Sequence, residues 1–259
     1  MHHPPYGPED LEAPRLPGPQ FLQLLQKQRR DKYPDPPPFF QALFNGSLKH
    51  EDLEAWVKNL YYYWDYGSWF STGAIFAKTD EPNVRGDVLK KLVKVEGKNV
   101  VNDLNGWTTP SYEELWLQFG EGLGLTRDEI KTWKMFTRSY FATKTLCTYA
   151  RWWNWSWLDG IASFYAADLL GRDVMSGAYE ALKKRYGVAE EHLKFFTNYI
   201  EDAANEIPWE EKALAYWACT TERQLTAARA FRTRLDIEYQ LVLPLHVAST
   251  GERMPLRIP

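Results

Sequence analysis

The run Leu53-Glu54-Ala55-Trp56-Val57-Lys58-Asn59-Leu60-Tyr61-Tyr62-Tyr63-Trp64 decides the fold class. Within it Leu53, Trp56, Val57, Leu60, Tyr63 and Trp64 recur at the spacing of one apolar helix face. The same period returns near the other end, where Leu225, Ala228, Phe231, Leu235, Tyr239 and Val242 make a continuous stripe. The punctuation between them is also helical. Tyr33-Pro34-Asp35-Pro36-Pro37-Pro38 stops a first helix over 19–32, because proline cannot continue one and restricts the residue before it. A short helix over 39–44 ends at Asn45-Gly46, and Pro82 opens another towards Val101. Gly124 closes a helix from Tyr112, and Thr126 to Glu129 has capping-box spacing. Gly67 and Gly73 weaken the second half of the helix that begins near Lys49. Further helices are predicted over 132–157, 159–185, 189–206, 208–220 and 221–248, with Pro244 kinking or ending the last. No alternating strand pattern and no internal repeat stand out. The expectation is an all-α protein in which seven or eight helices form one compact bundle over residues 19–248. A Pro-rich leader (1–18) precedes it and a tail (249–259) follows.

Composition narrows the classes. A formal charge of −3 over 259 residues gives no broad footprint for nucleic acid or an anionic membrane. Cys147 and Cys219 are too few for a disulfide framework and lack CxxC spacing, so reduced thiols in a cytoplasmic setting are expected. No apolar run is long enough to span a bilayer, and Met1-His2-His3-Pro4-Pro5 lacks the features of a secretory signal. The anomaly is aromatic. Twelve Trp, fifteen Tyr and thirteen Phe include the clusters Tyr61 to Trp64, Trp69-Phe70, and Trp152-Trp153-Asn154-Trp155-Ser156-Trp157. Such side chains either fill space between helices or line a semi-polar pocket.

The familiar catalytic motifs are missing. His2, His3, His50, His192 and His246 form no HExxH and no pair at i, i+4, which argues against zinc. No phosphate-cradling glycine motif occurs, since Gly120-Glu121-Gly122-Leu123-Gly124 falls at a helix end. One polar stripe is notable. Asn198, Asp202 and Asn205 stack along one side of a helix, either as an interior hydrogen-bonding face or, beside Glu201 and Glu206, as a solvated one. Asp168 lies in the apolar stretch Phe164 to Leu170, and Glu96 sits between Val95 and Gly97; carboxyl groups in such settings suit acid–base work. Arg234, between Phe231 and Leu235, could meet such a carboxylate, bind an anionic substrate, or pair with Glu238 on the surface.

The order of several segments carries a resemblance. Pro38-Phe39-Phe40-Gln41-Ala42-Leu43-Phe44-Asn45-Gly46, then Trp56 to Tyr63, resemble the amino-terminal part of the pyrroloquinoline-quinone synthase family. Glu114-Leu115-Trp116-Leu117-Gln118-Phe119 through Thr126 resembles a segment shared with its diiron relatives, and Arg185-Tyr186-Gly187, Phe195-Phe196 and Arg234-Leu235-Asp236-Ile237 follow in order. The resemblance spans residues 20–246 and implies a seven-helix heme-oxygenase-like fold with a closed central pocket. It also implies where residues differ. Phe40, Val95 and Met175 stand where that family has histidine, Tyr199 where it has arginine, Asp168 where it has glutamate, and Arg234 where it has lysine. Tyr63 matches a pocket tyrosine. The diiron branch's ligand positions fall at Glu96, Tyr112, Asp168, Asn198, Asp202 and Asn205, with every histidine lost. Iron favours imidazole alongside carboxylate, so a standard diiron centre is not expected.

The resulting expectation is a metal-free, dioxygen-using oxidoreductase acting on a small, flat aromatic or heterocyclic metabolite. Its walls would be Tyr63, Trp64 and one or more of Trp152, Trp153, Trp155 and Trp157. Asp168, Asp202 or Glu96 would accept a proton, Tyr199 or Tyr63 would donate one, Asn198 and Asn205 would add polar contacts, and Arg234 would anchor a substrate carboxylate. No cofactor is expected. Iron or manganese in a divergent ligand set is the second reading, and a non-catalytic small-molecule-binding or partner protein is the third. A thiaminase-like hydrolase or lyase is the fourth, requiring Cys147 or Cys219 in the pocket beside a carboxylate. A homodimer is expected from the resemblance, and no membrane or nucleic-acid partner.

Overall fold

Trp56 shows why the aromatic residues organise this chain. It is fully buried, and the rings of Phe39, Phe40, Trp116, Phe119 and Phe196 meet it at centroid separations of 5.4–5.9 Å. Four helices are joined at that single side chain, largely by edge-on contacts that suit the ring quadrupoles. The computed structural model describes residues 15–97, 110–151 and 155–251, and every regular element among them is helical.

The order begins with α1 (Gly18–Lys32), α2 (Pro38–Asn45) and α3 (His50–Tyr62). A π-helical turn, Tyr63–Gly67, joins α3 to α4 (Ser68–Lys78) without a break. Then come α5 (Pro82–Glu96), α6 (Tyr112–Gly122), the one-turn α7 (Arg127–Lys131) and α8 (Thr137–Arg151). The long helices α9 (Trp157–Lys184), α10 (Lys194–Trp217) and α11 (Thr221–Thr250) complete the bundle. Gly46 closes α2 in the left-handed conformation at φ 80°, as Asn45-Gly46 predicts. Thr126 and Glu129 make the expected reciprocal cap of α7, and Ser156 with Asp159 makes an equivalent one that starts α9.

Helix α9 is the axis. Every residue from Leu158 to Leu170 is buried, Asp159, Ser163 and Asp168 among them, so this stretch is enclosed on all sides, and the helix packs chiefly against α10 and α11. Gly160 permits its close approach to Ile75 of α4, where a Cβ would come within 2.7 Å of that side chain.

Several expected boundaries move. With α3, the π turn and α4 taken as one rod, ten α-helical rods are present among the described residues rather than seven or eight; without the short α2 and α7 the count is eight. The helix expected over 132–157 begins later, at Thr137, and is described as far as Arg151. The two helices expected over 189–206 and 208–220 are one, running through Pro208, and α11 likewise continues through Pro244 to Thr250. Proline costs a helix one hydrogen bond. Here apolar residues on both sides of each proline, such as Ala203 and Leu214 or Leu241 and Leu245, are buried, and their packing holds the rod. Residues 98–101 of the helix expected from Pro82 towards Val101, Trp152 and Trp153, residues 1–14 and residues 252–259 lie outside the described residues. No helix among the described residues is long and apolar enough to cross a membrane.

Candidate active site

Where α5, α9 and α10 meet the π turn, the bundle keeps a small cavity of about 40 Å³, little more than the liquid volume of one water molecule, about 30 Å³. The π turn is what delivers two of its walls, since Tyr63 and Trp64 both lie within or at the start of it. An inserted residue in a helix shifts the following face, and such bulges recur at functional sites. Gly67, at the end of the turn, lies against Thr143 of α8, where a Cβ would come within 2.6 Å of the side chain.

Asp168 lines the cavity from α9 and is almost fully buried. Lys91, from α5, donates to it at 2.5 Å, and the Tyr199 hydroxyl lies 3.5 Å from its other oxygen. The Lys91 ammonium also meets Glu206 at 3.2 Å and Glu210 at 3.3 Å, with the Phe164 ring 5.0 Å away. One turn along α5, Lys94 reaches Asp202 at 2.7 Å and Glu206 at 3.2 Å. Tyr112 of α6 donates to Asp202 at 2.8 Å. Four carboxyl groups thus share two ammonium groups. Asp202, Glu206 and Glu210 follow at intervals of four, which places them on one face of α10.

Protonation follows from this layout. Burial lowers the affinity of Lys91 for its proton, but the carboxylates Asp168, Glu210 and Glu206 outweigh it and hold the ammonium form well above its ordinary range. Glu210 is shifted well up, by burial first and by the charge of Asp168 second, which favours its protonated form. Its Oε2 has no hydrogen-bond partner among the described residues. Burial also raises Tyr63, Tyr112 and Tyr199, so all three are neutral phenols able to donate.

On the α11 side, Arg234 donates to the Tyr63 hydroxyl at 2.5 Å and pairs with Glu238 at 2.6 Å. It is buried, so the Glu238 pair exists but is not a surface pair: Arg234 lines this cavity and Glu238 the neighbouring one. Arg234 Nε and Trp64 Nε1 are buried donors without a partner among the described residues, and both side chains line the cavity. A second space of similar size lies beyond Tyr63, Trp64 and Tyr199, walled by Phe40, Leu170, Met175 and Leu241. Phe40 and Met175, two of the positions where the resemblance implies histidine, make that space apolar.

Of the residues singled out from sequence, Asp168, Asp202, Tyr199, Tyr63, Trp64 and Arg234 come together here. The others do not. Asn205 is exposed, and Asn198 is half-buried away from the cavity, because the face of α10 that meets α5 carries Glu206 and Glu210 instead. Glu96 is also absent from the wall: five residues beyond Lys91, it turns about 140° around the helix. Its carboxyl is raised by burial and by the neighbouring Glu113 and Asp65, a separate acidic group. Trp155 stacks on Tyr149 and Trp157 packs against Trp217, so neither forms the expected wall, and Tyr112 and Phe164 do so in their place. Neither cysteine lines either cavity, which removes the support for a thiaminase-like nucleophile. Sequence reading did not single out Lys91, Lys94, Glu206 or Glu210. The signal available was the four-residue spacing of carboxylates on α10.

The metal implied by the diiron branch finds no matching donors. None of the described histidines lines either cavity. The carboxylates that could gather around an ion, Asp168, Glu206 and Glu210, are already gathered around the Lys91 ammonium. A diiron centre does not fit these residues.

Fold and site together define a heme-oxygenase-like helical bundle with a buried cluster of carboxyl and ammonium groups beside its cavity. The TENA/THI-4/PQQC family profile matches residues 30–184, more than half of the chain, and the chain belongs to that family. It is 24% identical over 246 residues to a pyrroloquinoline-quinone synthase from Acidiphilium cryptum, covering 93% of this chain and 90% of that one. It is 24% identical over 182 residues to a 4-aminobenzoate synthase from Chlamydia pneumoniae, covering 70% of this chain and 75% of the relative. Among solved structures, a domain of unknown function with a heme oxygenase-like fold from Shewanella denitrificans superposes with a TM-score of 0.63 at 12% identity, over 92% of this chain and 96% of the other.

Proposed function

We propose that the protein is a metal-free oxidoreductase that takes two electrons and two protons from a small, electron-rich aromatic or heterocyclic carboxylate and passes them to dioxygen, releasing hydrogen peroxide. The observation that carries this reading is Asp168, a buried carboxylate on the cavity wall held between the Lys91 ammonium and the Tyr199 hydroxyl. Asp168 is the proton acceptor in this scheme. The phenols of Tyr199 and Tyr63 supply hydrogen bonds to the substrate, and Lys91 holds Asp168 in place. The unpartnered N–H groups of Arg234 and Trp64 favour a substrate with an acceptor such as a carboxylate. The oxidative half of the reading is drawn from the synthases in the family, and it requires a substrate able to reduce dioxygen without help. The present cavity is smaller than any aromatic ring system, so binding involves displacement of Tyr63, Tyr199 or Lys94 from the closed arrangement.

An oxygen electrode with a panel of aminophenol and dihydro-heterocycle carboxylates tests this. The expected result is dioxygen uptake with equimolar peroxide for at least one compound, reduced about 100-fold or more in Asp168→Asn. Uptake that survives Asp168→Asn unchanged would remove Asp168 from the reaction. Binding of these compounds without any turnover would favour a non-catalytic binding protein, the reading that the small closed cavity supports second.

A further inference from the structure

We infer that Lys91 is the resident cation of the Asp168, Glu206 and Glu210 cluster, a tethered ammonium that stands where a divalent metal would bind and keeps metal out. The three carboxyl groups offer oxygens within 4.8 Å of one another, close enough to gather around one small cation. Lys91 Nζ meets all three, at 2.5, 3.2 and 3.3 Å, and the face of Phe164 adds a fourth contact 5.0 Å from the charge. Both the ammonium and a hard divalent ion need the same oxygens, and the divalent ion needs them nearer, at about 2.0–2.6 Å. The two cations therefore exclude each other. Glu210 is fully buried, so its carboxyl group faces only the cluster and the surrounding side chains.

A buried cation supplied by the chain differs from a metal in one respect that matters here. Its concentration relative to the carboxylates is fixed by the covalent tether, so no metal supply and no loading step is needed. The neighbouring Lys94, on Asp202 and Glu206, extends the same substitution to the next turn of α10. The inference rests on the metal-free half of the function proposed above, and adds to it the identity of the occupant. It does not depend on which metabolite is oxidised.

Metal binding provides the test, with no activity readout. Isothermal titration of the unmodified full chain with Mn²⁺ should give no binding tighter than about 10⁻³ M, whereas Lys91→Ala should bind one Mn²⁺ with Kd of about 10⁻⁵ M, a shift of roughly 100-fold within the range of oxygen-ligand sites. Adding Glu206→Gln to Lys91→Ala should abolish the gain. Should Lys91→Ala not fold, the unmodified protein still answers the question. With lysine labelled at ¹⁵Nζ, one slowly exchanging ammonium resonance should persist unbroadened in millimolar Mn²⁺. Tight stoichiometric Mn²⁺ or Fe²⁺ binding by the unmodified chain, loss of that resonance on adding Mn²⁺, or a folded Lys91→Ala protein that binds no better would each overturn the inference. In those cases the dioxygen-uptake experiment remains an independent test of the oxidoreductase reading.

Discussion

Glu210 has no exposed surface and sits beside two other carboxyl groups, Asp168 and Glu206, so its raised proton affinity should appear in the pH dependence of folding. Its pKa is raised in the folded state, whereas the unfolded value is about 4.3. Between those two values the folded protein binds more protons than the unfolded one, so stability falls as pH rises through that window. Glu210→Gln keeps the shape of the neutral acid and removes the titration. Its melting temperature should fall less steeply than the parent's between pH 5 and the upper end of the window, as read by thermal denaturation at a series of pH values; parallel profiles would contradict the assignment. A second residue-scale prediction concerns Gly171, where a Cβ would lie 2.3 Å from the Tyr199 hydroxyl. Gly171→Ala should cost about 1–3 kcal/mol in chemical denaturation and push Tyr199 off Asp168, and a neutral effect would show that Tyr199 is not held there. Much of the cavity wall was legible as residue types: carboxylates in apolar runs, tyrosines in clusters, an arginine on an apolar stripe. Choosing Asn205 over Glu206 as the buried neighbour of Asp202 could not be avoided from one helix. Both lie within a turn of Asp202, and burying Glu206 is tolerable only because Lys91 and Lys94 arrive from α5, over a hundred residues earlier in the chain.

Among the elements, the π turn is the feature with no sequence signature, since Gly67 reads equally as a weak point in an α-helix. Its place against Thr143 predicts that Gly67→Ala costs about 1–3 kcal/mol, measured by urea denaturation, because α8 must move away or the turn must rewind. Substitution at a surface position of α3 such as Glu51 should cost far less. The helix periods, the Asn45-Gly46 stop and the Thr126–Glu129 cap were readable because they are local: each depends on residues within one turn. Pro208 and Pro244 misled for the opposite reason. Local chemistry says that a helix should end or bend there, and distant packing holds α10 and α11 together. Pro208 is exposed, so Pro208→Ala restores an N–H without disturbing the core. It should raise the melting temperature, whereas a fall would mean that the proline's own geometry is required.

For the molecule as a whole, the account is of a family fold whose central chamber runs on the chain's own charges. The bundle, with α9 as its buried axis, brings α5 and α10 close enough for lysines to enter a carboxylate cluster, and the same arrangement presents Asp168 to the cavity. A crystal structure of the unmodified protein soaked in Mn²⁺, with data at a wavelength where manganese scatters anomalously, tests this most directly. The account predicts continuous density for Lys91 with its ammonium among Asp168, Glu206 and Glu210, and no anomalous peak there. An anomalous peak among those three carboxylates, with Lys91 turned out of the cluster, would contradict it.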